Sequence, residues 1–308
     1  MRINHIVAIA GLLFLASCSK EIKLETVSFN VVADSASYNP GSKTTFNFSG
    51  KPNYISFYSG EPGQRFEFKD RETAAGIPLL NFTSQLNAGT QANTLKLMIT
   101  SDLNGIIDSA SIVNAPWTDI SSRAIWATNA TALGSGNVDL SDFAAANKPV
   151  YIAFKYNAAA GSIQNRWTLT KFSLRNSLSD GTSYLIDSVP TITTAINYGN
   201  TSNLPVWVGQ KTAGTTTVFD VKATMIVAGA TTAANATSAV EAWFVTGPVN
   251  LKKVTPDAGV PVQTIVSYVP SFTYTYAKSG TYDAVFVASN QNVNAVSNTM
   301  KKVAVTIR

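Results

Sequence analysis

The chain has one cysteine and one histidine in 308 residues, and both fall within its first 18 positions. Charged residues make up only 13% of it. No apolar stretch reaches the roughly 20 residues that a bilayer-spanning helix needs. Each scarcity closes off a chemistry. A single cysteine allows no disulfide within the chain, so packing must supply the stability, which a chain of this length can do. Nucleophile systems of the Ser-His-Asp or Cys-His kind need an imidazole base. Structural and catalytic zinc sites draw on His and Cys. Charge is thin and dispersed, at a net +5, and the doublets Lys252-Lys253 and Lys301-Lys302 read as solvated strand ends. Neither doublet builds the basic stripe that tracks phosphates, so nucleic acid is not an expected partner.

The lone cysteine has a specific setting. One cation, Arg2, precedes the apolar run "HIVAIAGLLFLA", and small residues follow it. That is the layout of a secretory leader. The run ends in Leu15-Ala16-Ser17-Cys18, which resembles a bacterial lipoprotein box. The resemblance implies cleavage of residues 1–17, lipidation of Cys18, and a linker over 18–24. Cleavage removes Arg2 and His5, leaving a chain without histidine. Two or more acyl chains hold a protein firmly on a membrane, at roughly 0.8 kcal/mol per buried CH2. Ser19-Lys20-Glu21 resembles the start of surface-exposed lipoproteins of Bacteroidota. The expected address is therefore the outer membrane, lipid-anchored and facing the medium at the cell surface.

Thr, Ser, Asn and Ala replace charge through the rest of the chain, the texture of secreted all-β proteins. Apolar residues alternate with period 2 nearly throughout, and long helical periodicity is missing. "TTFNFSG" aligns Phe46 with Phe48, and "TLKLMIT" aligns Leu95, Leu97 and Ile99. "PVYIAFKYN" aligns Val150, Ile152, Phe154 and Tyr156. "VFDVKATMIV" reads as one strand presenting Phe219, Val221, Ala223 and Met225. "SFTYTYAKSGTYDAVFVASN" reads as two strands around Lys278–Thr281. The apolar phase slips by one between Trp167-Leu169 and Phe172-Leu174, which predicts a bulge or bend. A short helix is expected around "VDLSDFAAANKP", stopped by Pro149.

Resemblances sharpen this all-β reading. "YTYAKSGTYDAVFVASN…KKVAVTI" looks like the last strands of a PKD-type, immunoglobulin-like sandwich, and "VSFNVVADSASYNPGSKTTFNFSGKPNYISFYSGE" like its first. Neither end is complete alone, so residues 25–75 and 252–308 are expected to form one discontinuous sandwich. The insert, 76–251, resembles galactose-binding-like or cleaved-adhesin jelly rolls through "LNFTSQLN", "NTLKLMITSDLNG", "GSGNVDLSDFAAANKPVYIAFKY" and "NRWTLTKFSL". "EAWFVTGPVNL" resembles a strand that usually opens such rolls, as if this one were permuted. Through "FYSGEPGQRFEFKDR" and "VTPDAGVPV…YTYAKSGTYDAVFVASN" the chain resembles a family of Bacteroidota lipoproteins, domain of unknown function 5017. The resemblance implies a polysaccharide-utilisation setting near SusC/SusD-like proteins. It implies no catalytic residues.

Carboxylates are the remaining acid-base groups. Asp119, Asp139 and Asp142 read as turn and cap residues rather than a glycosidase pair. Glu61 is expected to pair with Arg65 or Arg71 at a rigid turn. Asp102 and Asn104 in "TSDLNG" are the calcium candidates, since calcium takes hard oxygen ligands; the competing reading is a turn closed by Gly105. Trp117, Trp126 and Trp207 lie in irregular surroundings and are the candidate sugar-stacking faces, whereas Tyr156 and Trp167 belong to strands and to the core. Asp34-Ser35-Ala36, Asp108-Ser109-Ala110 and Asp187-Ser188-Val189 resemble O-glycosylation acceptors of Bacteroidota. The expected role is non-enzymatic: a surface lipoprotein binding a glycan, or an accessory of a glycan-uptake system. The alternatives are a structural or adhesive protein-binding module and a carboxylate-dependent glycoside hydrolase.

Overall fold

The computed structural model describes residues 24–188, 207–221 and 224–308. Residues 1–17, Cys18 and residues 19–23 of the expected linker lie outside the described residues. The chain divides into two compact units, a terminal unit of residues 1–66 with 258–308, and an insert of 67–257.

The strands run in this order. The terminal unit begins with β1 (Phe29–Ala33), β2 (Ser37–Tyr38), β3 (Lys43–Gly50) and β4 (Tyr54–Tyr58). The insert carries β5 (Ile77–Ala88), β6 (Leu95–Thr100), β7 (Thr118–Asp119), β8 (Leu133–Gly134), β9 (Val138–Asp139), β10 (Tyr151–Ala158), β11 (Arg166–Ser177), β12 (Ser183–Ser188), β13 (Val208–Ala213), β14 (Val218–Val221), β15 (Met225–Ala228) and β16 (Val240–Val245). It also holds short helices α1 (Ser109–Asn114) and α2 (Ser141–Ala144). The chain then returns as β17 (Val260–Gln263), β18 (Ser271–Thr275), β19 (Gly280–Gln291) and β20 (Val296–Ile307).

The terminal unit pairs β1-β3-β18 in one sheet and β17-β4-β19-β20-β2 in the other. Alternation gives each sheet one apolar face, and the two faces close on a phenylalanine cluster. Phe286 is its centre, with ring centroids 4.9 Å from Phe46, 5.3 Å from Phe48 and 4.8 Å from Phe57. β18 and β19 flank the Lys278–Thr281 turn as the alternation predicts, but they belong to opposite sheets, so the connection arches across the sandwich. Tyr276 is fully buried at the arch and donates to the Ser59 carbonyl at 2.9 Å. Tyr282 donates to the Lys278 carbonyl at 2.9 Å. Glu61 accepts a hydrogen bond from Tyr274 at 2.5 Å.

The insert stacks β13-β16-β10-β6-β7 against β14-β15-β11-β5-β8, with β12 also on β11 and β9 also on β5. Phe154 sits in the core between them, with Phe82, Trp126, Phe172 and Trp207 around it. β10 is apolar on both faces at its start, because α1 covers the far side of its sheet. There Ile112 packs with Met98, Tyr151, Ala153 and Trp243. The expected phase slip is a bulge in β11: its register on β5 shifts between Thr170 and Ser173, and Lys171 takes φ 54°.

Two expectations change. The segment "VFDVKATMIV" is a hairpin of β14 and β15, not one strand. Val221 pairs with Met225 and Phe219 with Val227, so all four share parity. A reversal that preserves parity leaves the alternation intact and hides itself. Ala223 lies outside the described residues. The unit borders also fall at 66/67 and 257/258 rather than at 75/76 and 251/252. The two connecting segments bond to each other within the insert. Ala74 N–H donates to the Lys252 carbonyl at 2.9 Å, Val254 N–H to Glu72 at 2.9 Å and Asp257 N–H to Phe68 at 3.1 Å. Arg71 seals this neck, donating to Tyr184 Oη at 3.1 Å and to the buried Asp257 Oδ1 at 3.4 Å. Near it, Asp187 is 6% exposed and its Oδ2 has no hydrogen-bond partner. Burial pushes its carboxyl up to about 7, outweighing a backbone hydrogen bond at Ser188 and the charge of Lys253.

Two measurements follow from this packing. Truncating Phe286 to Ala removes the central ring and is expected to lower stability by about 3–5 kcal/mol in chemical denaturation, whereas Met300→Ala on the exposed face stays within about 0.5 kcal/mol. Asp187 holds its proton more tightly folded than unfolded. Its contribution is therefore complete below about pH 4 and lost as pH rises through about 7. The urea midpoint is expected to fall between pH 5 and pH 8, and Asp187→Asn is expected to flatten that fall. An unchanged pH profile in the variant would refute the assignment.

Candidate functional site

A concavity of the insert lies beside the loop joining β5 to β6. It is an open cleft of about 670 Å³ lined by Leu86, residues 91–96, Asp119, Ser121, Ser122, residues 126–128 and Trp167. A second cleft of about 670 Å³ lies on the other side of the same loop, against Asn157, Ala213 and Glu241. Residues 91–94 line both.

The loop is built to hold its shape. Gly89 has φ 83°, and a Cβ there would lie 2.2 Å from Asn165 Oδ1, so the position requires glycine. Asn93 takes the left-handed conformation at φ 55°, which Asn tolerates better than most residues. Asn165 is fully buried beneath the loop. Its Oδ1 accepts the Gln91 N–H at 3.0 Å, and its Nδ2 donates to the Gln91 carbonyl at 2.7 Å and to Thr94 Oγ1 at 2.8 Å. Gln91 reaches the next loop, donating to Ser162 Oγ at 2.8 Å and accepting the Ala159 N–H at 2.8 Å. Trp167 Nε1 donates to Thr94 Oγ1 at 2.8 Å, and Tyr156 Oη to the Asn165 carbonyl at 2.7 Å. Burial raises the Tyr156 hydroxyl to about 12, so it stays a neutral donor.

Trp126 gives this cleft an aromatic wall. It is half-buried, its Nε1 donates to the Ser121 carbonyl at 2.9 Å, and its ring lies 6.2 Å from Trp167 and 5.0 Å from Phe82. The rim is polar. Lys96 Nζ lies 2.9 Å from Asp119 Oδ2, and both side chains are about two-fifths exposed. Asp119 Oδ1 also accepts from Ser121 N and Oγ. Burial pushes the Asp119 carboxyl up, but Ser121 and Lys96 outweigh it and hold the group below its ordinary value. In the second cleft Glu241 accepts from Lys155, Thr212, Trp243 and Asn157. Those hydrogen bonds override the effect of burial and bring its carboxyl down to about 2.

The other sequence candidates fall elsewhere. Trp117 packs on Trp243 at 5.2 Å, on the α1 side of the five-stranded sheet, and donates to the Ile112 carbonyl. Trp207 is buried in the main core, stacked on Phe154 at 5.8 Å, and its Nε1 has no partner. Trp126 alone of the three lines the cleft. Asp102 and Asn104 are exposed on the loop after β6, where Asn104 Oδ1 accepts the Ile106 N–H at 3.3 Å and Gly105 has φ 86°. Among the described residues no three His, Cys, Asp or Glu side chains gather as metal ligands. Asp139 accepts from Ser141 N and Oγ at the start of α2, and Asp142 makes a bidentate pair with Arg123. Sequence reasoning passed over Gln91, Asn93, Lys96 and Asn165. Their signal is faint: a glycine and two amides between apolar strands, with no motif.

No curated protein and no solved structure matches the chain. One family model, described as a domain of unknown function (DUF5017), matches residues 17–195. That match covers more than half of the sequence, and the chain belongs to this family of domains of unknown function, DUF5017.

Proposed function

We propose that the protein is a lipid-anchored outer-membrane lipoprotein at the cell surface that grips a glycan in the cleft beside Trp126. On this reading it works as a non-catalytic accessory of a polysaccharide-utilisation system, alongside SusC/SusD-like partners. The observation carrying the proposal is the pairing of a half-buried indole with a rim of planar and hydroxyl groups on a rigid loop. Sugars offer C–H faces for an aromatic ring and hydroxyls for amides and carboxylates, and small-molecule sites combine an apolar wall with a few fixed polar groups. The buried amides hold the loop before any ligand arrives, which lowers the ordering cost of binding. Asp119 is the one carboxylate among the cleft's lining residues. Glycoside hydrolysis needs two, roughly 5–9.5 Å apart across the bond. A single carboxylate tied to Lys96 and Ser121 suits holding a sugar.

Two measurements test this. On affinity gels and arrays of plant and host polysaccharides, the protein is expected to be retained by at least one. Trp126→Ala and Asn93→Gly should each weaken retention about tenfold, near 1.4 kcal/mol; Asn93→Gly keeps the left-handed backbone and removes only the side chain. Retention on no glycan, with co-purification of a SusC/SusD-like pair, would favour a protein-binding module instead. For the anchor, labelled palmitate should enter the wild-type chain and not Cys18→Ala, and the variant should leave the envelope fraction. Label-free wild-type protein would refute the anchor.

A further inference from the structure

The terminal unit exposes apolar side chains at turn apices, where Gly, Asn, Asp and Pro are the usual residues. Val266 is 91% exposed and Val293 is 96% exposed. Ile265, Tyr268 and Val296 beside them are exposed as well.

These residues share one end of the sandwich. The β19–β20 turn lies at that end, and Ser289 pairs with Tyr54, which brings the start of β4 there. Gln263 pairs with Ile55, so the turn after β17 is there too, and its side-chain amide donates to the Pro52 carbonyl. Phe29 pairs with Gly50, so the chain enters β1 at the same end. Its entry runs alongside the Val293 turn: Asn290 Nδ2 donates to the Glu25 carbonyl at 3.2 Å and Val27 N–H to Ser297 Oγ at 3.3 Å. Cys18 is six residues before Leu24. At roughly 3.3–3.6 Å per residue, a fully extended link of that length spans about 20 Å.

The geometry points to a membrane-contacting end: the turns carrying Val266 and Val293 dip into the lipid interface beside the acylated Cys18. This rests on the anchored reading above. Backbone chemistry supports it, because lipid leaves no water for unpaired N–H groups. In one turn Thr264 N–H donates to Ser267 Oγ at 3.1 Å and Ser267 N–H to the Thr264 carbonyl at 2.9 Å. In the other, Asn292 Oδ1 accepts the N–H of both Asn294 and Ala295 at 2.9 Å. Each turn is thus apolar at its tip and hydrogen-bonded across its base. Thr, Ser and Asn flank the apices, and the exposed Lys51 and Glu25 at the same end are opposite in sign, so a zwitterionic surface suffices.

The test uses the full acylated chain on phosphatidylcholine vesicles, with spin labels at Val266→Cys, Val293→Cys and, as a water control at the opposite end, Ser279→Cys. Acylation of Cys18 leaves no other thiol. Oxygen collisions should rise relative to those with a water-soluble nickel complex at 266 and 293, as for interfacial groups about 5–10 Å deep, and not at 279. Labels at 266 and 293 matching 279, on protein whose mass includes the acyl chains, overturn the membrane contact and leave the anchor standing. Protein that carries no acyl chain and stays off the vesicles overturns both.

Discussion

The buried amide of Asn165 is the constraint on which the cleft depends. Its oxygen and both of its amide hydrogens are engaged, by Gln91 and Thr94. Thr94 in turn fixes the Trp167 indole, and Gln91 fixes the neighbouring loop. A buried amide is expensive to leave unpaired, so the network is stable only when every member is in place. That all-or-none character lets a loop without a disulfide or a metal ligand hold one shape. The Trp126 wall is ordered by a separate bond to Ser121.

The same logic recurs where the chain turns. Asp119, Asp139 and Asp180 each accept from the backbone N–H and the hydroxyl of the residue two positions on, Ser121, Ser141 and Thr182. Side-chain hydroxyls and carboxylates thus stand in for the cross-links and charge networks that the composition lacks. The carboxylates so used fix the local backbone.

Much of the fold was legible because it rests on period-2 patterning. The sandwich character, the core positions of Tyr156 and Trp167, and the β11 bulge all follow from which residues alternate. Other features were not legible, for definable reasons. The β14–β15 reversal preserves parity, so the pattern runs straight through it. β18 and β19 face one core from opposite sheets, so alternation cannot say that the chain has changed sheet between them. The cleft was legible only in part. Trp117 and Trp126 share irregular, polar surroundings and Trp207 follows Leu204-Pro205, and only tertiary packing sends Trp207 inside and Trp117 to the α1 face. Asn165 and Gln91 have no local signature, because their partners lie more than 60 positions away.

The discontinuous terminal unit becomes available in two parts as the chain is made. When Asp257 has been synthesised the insert has all its sequence, while β4 still lacks its partner β19. Closing a loop grows harder with its length, if slowly. An insert that has already folded turns residues 67–257 from a long flexible loop into a short fixed spacer, and Ala258 then bonds back to the Gly63 carbonyl at 3.1 Å. Until then β1 to β4 expose unpaired strand edges, the kind of surface that invites wrong pairing. The interval between first and last strand is thus a period of risk, and a folded insert shortens it.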